Sequence, residues 1–246
     1  MLTIRISDKI EKPLYQGPLE LGPEGFSLAL KGARDGLRER DLPKSGPVVT
    51  LGTPQSWNLV ELAIEREESL PAEVRMLLKE AHFHLVVFAC SFRPDRRSAI
   101  RWARFSVSMT QISGQDAPVA FDLYPREIYV ERKTDLAVAI SPSLKFAETE
   151  LSLGEAIANL EFRKLEPRIV GSGVLESSPS WDFEQLRERP LRGSRQCCLI
   201  VKKPLRSQGV HVSIGLVADV VTRNGLFSMR ISDEARAAAE IIVCRD

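Results

Sequence analysis

The sequence predicts a mainly β protein, an antiparallel β-sandwich carrying one or two short helices. Three observations predict it. Apolar residues recur at every second position through most of the chain, the spacing of a half-buried strand. From Phe83 to Cys90 the chain is apolar at nearly every position, as a central strand buried on both faces requires. Asn224-Gly225 stands between two alternating runs, and that dipeptide is a strong hairpin signal because a type I′ turn needs positive φ at both central residues.

Leu2, Ile4 and Ile6 alternate with Thr3 and Arg5, predicting a first strand. Phe26, Leu28 and Leu30 repeat the pattern, and Val60, Leu62 and Ile64 repeat it again. Val74, Leu77, Leu78 and Ala81 instead follow the i, i+3, i+4, i+7 spacing of a helix. Pro71 stands at its start, where proline costs a helix nothing, and Ser69 is positioned to cap it. Phe83–Phe92 and Ala99–Met109 are separated by Arg93-Pro94-Asp95-Arg96-Arg97-Ser98, whose Pro-Asp marks a turn. They read as an antiparallel hairpin with a long basic loop. On its second strand Ala103, Phe105, Val107 and Met109 share one face, and Ile100 and Trp102 take the other.

The segment from Ile112 to Pro118 reads as a linker. It divides the chain into a β-rich N-terminal unit, 1–117, and a sandwich-like C-terminal unit, 118–246, or else forms a long loop within one domain. Beyond it, alternation returns at Ile128 and Val130, at Leu136 to Ile140, at Ala156 to Phe162 and at Cys197 to Val201. It is longest from Val210 to Val220, where six apolar side chains share one face. Phe227, Met229 and Ile231 complete the predicted hairpin. Ser232-Asp-Glu with the alanines that follow predicts a short helix, and Ile241 to Cys244 a last strand. Trp181-Asp182-Phe183 follows Ser177-Ser-Pro-Ser. A lone tryptophan among alternating strands resembles the layout of immunoglobulin-like sandwiches, although the companion cysteine pair is absent from the expected places. This resemblance is one of layout in the C-terminal half and implies no activity; Trp181 itself reads as a core or edge aromatic.

Charge excludes several partners. The chain holds 34 basic and 33 acidic residues, a net +1. Cut after Ala117, it gives 16 basic and 15 acidic residues, then 18 and 18, so neither half is an electrostatic footprint for DNA or an anionic membrane. The N-terminus has no basic region leading into an apolar signal core, and the apolar run Leu85–Cys90 is far below the ~20 residues of a spanning helix. The four cysteines (Cys90, Cys197, Cys198 and Cys244) fit no zinc spacing. They read as free, buried thiols in a cytoplasmic, reducing setting.

Two groups of side chains are candidates for chemistry or binding. His82 and His84 share a strand face, as a β-barrel metal pair does. The carboxylate that cupins place four or five residues later is replaced here by Phe88 and Ala89, so the pair lacks its third ligand and no cofactor is expected. Arg93, Arg96, Arg97, Arg101 and Arg104 surround Trp102. Against Asp95 alone they leave a local excess of +4 in twelve residues. Guanidinium forks grip phosphates and carboxylates, and an indole stacks on bases. A second basic stretch, 187–206, contains Arg192 and Arg195. No G-x-S-x-G, Walker loop or dinucleotide fingerprint occurs.

These observations lead to an expectation of a non-enzymatic binding or assembly module that contacts a protein partner, or a second copy of itself, through sheet edges and basic loops. The alternatives are a ligand- or metal-binding β protein using the His82/His84 face or the Arg93–Arg104 loop, and a subunit of a soluble homo-oligomer. Nucleic acid or a phosphorylated ligand is the less favoured partner, and a membrane is not expected.

Overall fold

The computed structural model describes residues 3–6, 12–21, 46–112, 116–128, 145–148, 168–185, 190–222, 225–230 and 241–244. In chain order its elements are β1 (Thr3–Ile6), β2 (Pro13–Pro18), β3 (Glu20–Leu21), β4 (Val48–Gly52), β5 (Gln55–Asn58), α1 (Leu59–Glu65) and α2 (Ala72–Leu77). Next come β6 (Ala81–Arg93), β7 (Ser98–Gln111), β8 (Val119–Tyr124), β9 (Glu127–Ile128) and β10 (Lys145–Glu148). The last are β11 (Arg168–Ser172), β12 (Ser180–Glu184), β13 (Gly193–Pro204), β14 (Val210–Thr222), β15 (Gly225–Arg230) and β16 (Ile241–Val243). The predicted strands at 26–31, 136–140 and 156–162 and the helix after Ser232 lie outside the described residues.

The strands form two antiparallel sheets packed face to face. One runs β2-β4-β6-β13-β8, with β5 continuing the line of β4 along the same edge of β6. The other runs β3-β15-β14-β7-β12-β11-β9, with β16 also on β14. β1 pairs with β10 in a separate two-stranded sheet, and that pairing is parallel. Each large sheet takes strands from both sides of the 112–118 segment, which carries the chain from β7 in one sheet to β8 in the other.

One core fills the space between the sheets. Val86, Phe88, Cys90 and Phe92 of β6 and Cys197, Leu199 and Val201 of β13 enter it from one side. Phe105, Trp181, Phe183 and the even-numbered residues Val210 to Val220 enter from the other. Phe88 lies 5.9 Å from Phe105 and 6.4 Å from Trp181, centroid to centroid, both tilted, and Phe92 meets Phe183 edge-on at 5.6 Å. Burying each such ring is worth about 2–3 kcal/mol. The Trp181 indole N–H has no acceptor there, at a cost of about 1–3 kcal/mol. Of the two expected places, core or edge, Trp181 takes the core.

The opposite faces of β6 and β13 are also buried. Phe83, Leu85, Cys198 and Ile200 pack with Leu59, Leu62 and Ala63 of α1, Val74 of α2 and Tyr124. The expected strand over Val60–Ile64 is in fact α1. Asn58 Oδ1 accepts the Val60 N–H at 2.9 Å and caps it, and Leu59, Leu62 and Ala63 bury its inner face while Ile64 stays exposed. The alternation of Val60, Leu62 and Ile64 concealed a helical i, i+3, i+4 set beginning one residue earlier. α2 forms from the predicted start, but it ends at Leu77, so that Ala81 opens β6 instead of closing the helix, and its cap is Pro71 rather than Ser69.

The predicted hairpin of β6 with β7 does not form. β6 pairs with β13 and β7 with β14 and β12, so residues 94–97 cross from one sheet to the other. Two strands each with a strongly apolar face bury more by facing each other than by lying side by side, and Phe88 and Phe105 meet across that gap. The face assigned to Ile100 also changes. Pairing with β14 slips at Asp219/Val220, so Arg101 is bulged, and Ile100 turns into the core with Ala103 and Phe105. The β14–β15 hairpin forms, but Gly225 pairs with Thr222 as the first residue of β15 instead of serving as the second central turn residue, so the two connecting residues are 223 and 224, which lie outside the described residues.

Both flanks of the sandwich are crossed by the chain. β2 leads through fully buried Leu19 into β3 of the other sheet, and Leu19 exchanges backbone hydrogen bonds with Gly46 and Pro47. On the far side, β8 leads through the cis Tyr124–Pro125 bond into β9. There the loop 173–179 bonds Ala120 of one sheet and Val107 and Met109 of the other. Corners of this kind cover edges that would otherwise pair with strangers.

Candidate functional site: an arginine-rich end

β6 ends and β7 begins at one end of the sandwich, and the link between them exposes Arg93, Arg96 and Arg97. Its acid is committed to local structure. Asp95 Oδ1 accepts the Arg97 N–H at 2.7 Å and the Ser98 hydroxyl at 2.9 Å, and these bonds hold its carboxyl below the usual range. Asp95 therefore shapes the turn that projects the arginines.

The bulge at Arg101 joins this link to the second basic stretch. The Arg101 carbonyl accepts the Gln185 N–H at 2.8 Å, and the Ile100 carbonyl accepts the Leu191 N–H at 2.9 Å. Gly193, at φ +85°, then starts β13 opposite Phe92. Exposed Arg192, between Leu191 and Gly193, is thereby brought to the end that carries Arg93, Arg96, Arg97 and Arg101. Segments separated by roughly ninety residues build one cationic surface. None of these five guanidiniums belongs to the two ion pairs found among the described residues.

The remaining predicted binding residues go elsewhere. Arg104 lies on the outer face of β7, where Nε and Nη2 grip the two carboxylate oxygens of Asp182 at 2.8 and 2.9 Å. The pair raises the Arg104 pKa, and the guanidinium sits 5.4 Å over the Trp102 ring. Trp102 is half-buried beneath it. Arg195 is half-buried on the β13 face that also carries Cys197, and it donates to the Ser194 carbonyl at 2.8 Å.

His82 and His84 share the β6 face that continues into the inter-sheet core, and His84 is buried. Opposite His82 in register is Lys203, fully buried, whose Nζ donates to the Ser207 carbonyl at 3.0 Å. An ammonium at that position opposes a second cation. Among the described residues no group of three His, Cys, Asp or Glu side chains assembles there or elsewhere. All four cysteines are buried and none forms a disulfide, and burial pushes the Cys90 and Cys198 thiols up to about 12 and Cys197 well above its ordinary value.

No protein-family model matches the chain, and no curated protein matches it. Among solved structures, a chain described as "Pore forming protein" is similar at a TM-score of 0.28 and 6% sequence identity, covering 82% of this chain and 98% of that one. A likeness that slight carries no argument. Among the described residues no helix is long and apolar enough to cross a membrane.

Proposed function

We propose that this chain is a non-enzymatic β-sandwich module that binds a protein partner through its arginine-rich end. The observation that carries the reading is the convergence of Arg93, Arg96, Arg97 and Arg101 with Arg192 through the Leu191–Ile100 and Gln185–Arg101 backbone bonds. An exposed cationic surface whose guanidiniums form no ion pair among the described residues is a surface that gains from an anionic one. Corner segments occupy the sandwich flanks, which favours this end over sheet-edge addition. The four cysteines are buried, and burial raises the thiols of Cys90, Cys197 and Cys198, as in inert packing cysteines; this suits a reducing, cytoplasmic location.

The test is affinity purification from the source cell with the full chain, comparing wild type with R96E/R97E/R192E and with S108E/T110E, which adds charge on the outer face of β7. Partners lost from the first variant and kept by the second support the reading. The same set retained by both overturns it. A second reading, self-association, is favoured by Ile112, Leu175 and Leu205, exposed on three connections at the other end of the sandwich. Native mass spectrometry distinguishes it: a defined oligomer dissociated by Leu175→Asp places the contact at that end.

A further inference from the structure

Resting on that reading, we infer that the partner segment received by the arginine-rich end is a short, carboxylate-rich stretch of protein, not a nucleic acid strand. Two features choose between these anions. The first is the aromatic side chain beside the arginines. A strand-binding groove pairs cations with ring faces on which bases stack. Here Trp102 already carries the Arg104 guanidinium on its face at 5.4 Å, and the two bonds to Asp182 fix Arg104 in place. A base stacking on the face that Arg104 covers must displace a guanidinium held by a bidentate ion pair. The second is the kind and number of cations. All five are arginines, whose planar forks match carboxylates two bonds at a time, and they occupy one end rather than a track along the sandwich. The net charge of the whole chain is only +1, so little long-range attraction draws in a polyanion. A compact set of forks, three on the 94–97 link and the end of β6, one on the bulge and one on the approach to β13, suits a few adjacent Asp or Glu side chains.

The test measures fluorescence anisotropy with the full chain and three labelled probes: an alternating Glu-Gly peptide, its Gln-Gly counterpart and an oligothymidylate of matching length. The acidic peptide binds at least about tenfold more tightly than either other probe. Arg97→Gln and Arg192→Gln each weaken it about threefold or more, because both chain segments supply forks, and Arg97→Lys also weakens it, because an ammonium keeps the charge but loses the fork. Unchanged melting temperatures show that these exposed replacements leave the fold intact. Tighter binding of the oligothymidylate, with quenching that Trp102→Phe abolishes, overturns the carboxylate assignment while leaving a binding role for this end. No preference between the Glu and Gln peptides overturns the assignment as well. The binding reading itself fails only if R96E/R97E/R192E also retains every cellular partner.

Discussion

β6 and β7 are of nearly equal length, 13 and 14 residues, and follow one another in the chain, yet they live in different surroundings. β6 is covered on both faces, by the other sheet through Val86, Phe88 and Cys90 and by the helices through Phe83 and Leu85. β7 is covered on one face, and its other presents Arg104, Ser108 and Thr110 to solvent. β13 and β14 repeat the contrast: Cys197–Val201 is buried at five successive positions, whereas β14 alternates along its length. The helix-covered sheet is thus the middle layer of three, and the other sheet is an outer layer with a free polar face. The proposed binding surface lies where the layers end, at the link between β6 and β7, where the chain leaves both cores and exposes Arg93, Arg96 and Arg97.

The largest expected effect tests which of the two cores dominates. Phe88→Ala, which empties the contact with Phe105 and Trp181, is expected to cost about 4 kcal/mol in urea unfolding. Phe83→Ala, which removes the edge-on contact with Phe121 at 5.0 Å beneath the helices, is expected to cost about 3 kcal/mol, since a thin helical layer collapses onto the gap more readily. A reversed order would make the helix-side core the main one.

The next effect depends on pH. Cys90 faces one core and Cys198 the other, and burial raises both thiols to about 12 from an ordinary 9.0. The unfolded chain loses those protons first, so the stability they contribute is complete below about pH 9 and lost as pH rises toward 12, on the order of a few kcal/mol. Unfolding midpoints should decline across that window, and the decline should flatten in Cys198→Ala. At pH 8 the folded protein should leave a thiol reagent unreacted until denaturant is added. Prompt reaction of the native thiols would contradict the two-sided burial of β13.

Smaller effects belong to the exposed parts. Asn58→Ala removes the α1 cap and should cost about 1 kcal/mol, with Asn58→Asp restoring most of it. On the open face, a double-mutant cycle of Arg104→Ala and Asp182→Ala should give a coupling of about 0.5 kcal/mol, falling with added salt, because Arg104 is half exposed. A coupling above about 2 kcal/mol would show that this face is covered in the folded protein.

Much of this architecture is legible in the residues themselves. Strict alternation identifies β14 as one-sided, and the unbroken apolar run identifies β6 as two-sided, because a strand's side chains report both of its neighbours. The segment Val60–Ile64 suggests a strand yet forms a helix, because in seven residues a helical set and an alternating set share Leu62. The sequence does not separate a β6–β7 hairpin from the observed crossing, because a four-residue link serves equally well to turn within a sheet or to step between sheets. Both basic stretches of the candidate site are visible in the sequence, but their union is not, since it depends on two backbone bonds spanning 84 and 91 residues, Gln185 to Arg101 and Leu191 to Ile100.

The sequence by itself determined the class of the molecule, the alternation of its strands, the existence of the final hairpin and the inward fate of the cysteines. These follow from local periodicity and the cost of exposing apolar surface. Tertiary structure decided which strands became neighbours, that Ile100 turns inward at a bulge, that Arg104 is neutralised by Asp182 and that Arg192 joins the arginines of the 94–97 link. Pairing and charge compensation depend on which distant backbone comes within hydrogen-bonding reach, and a pattern local to a few residues does not contain that distance.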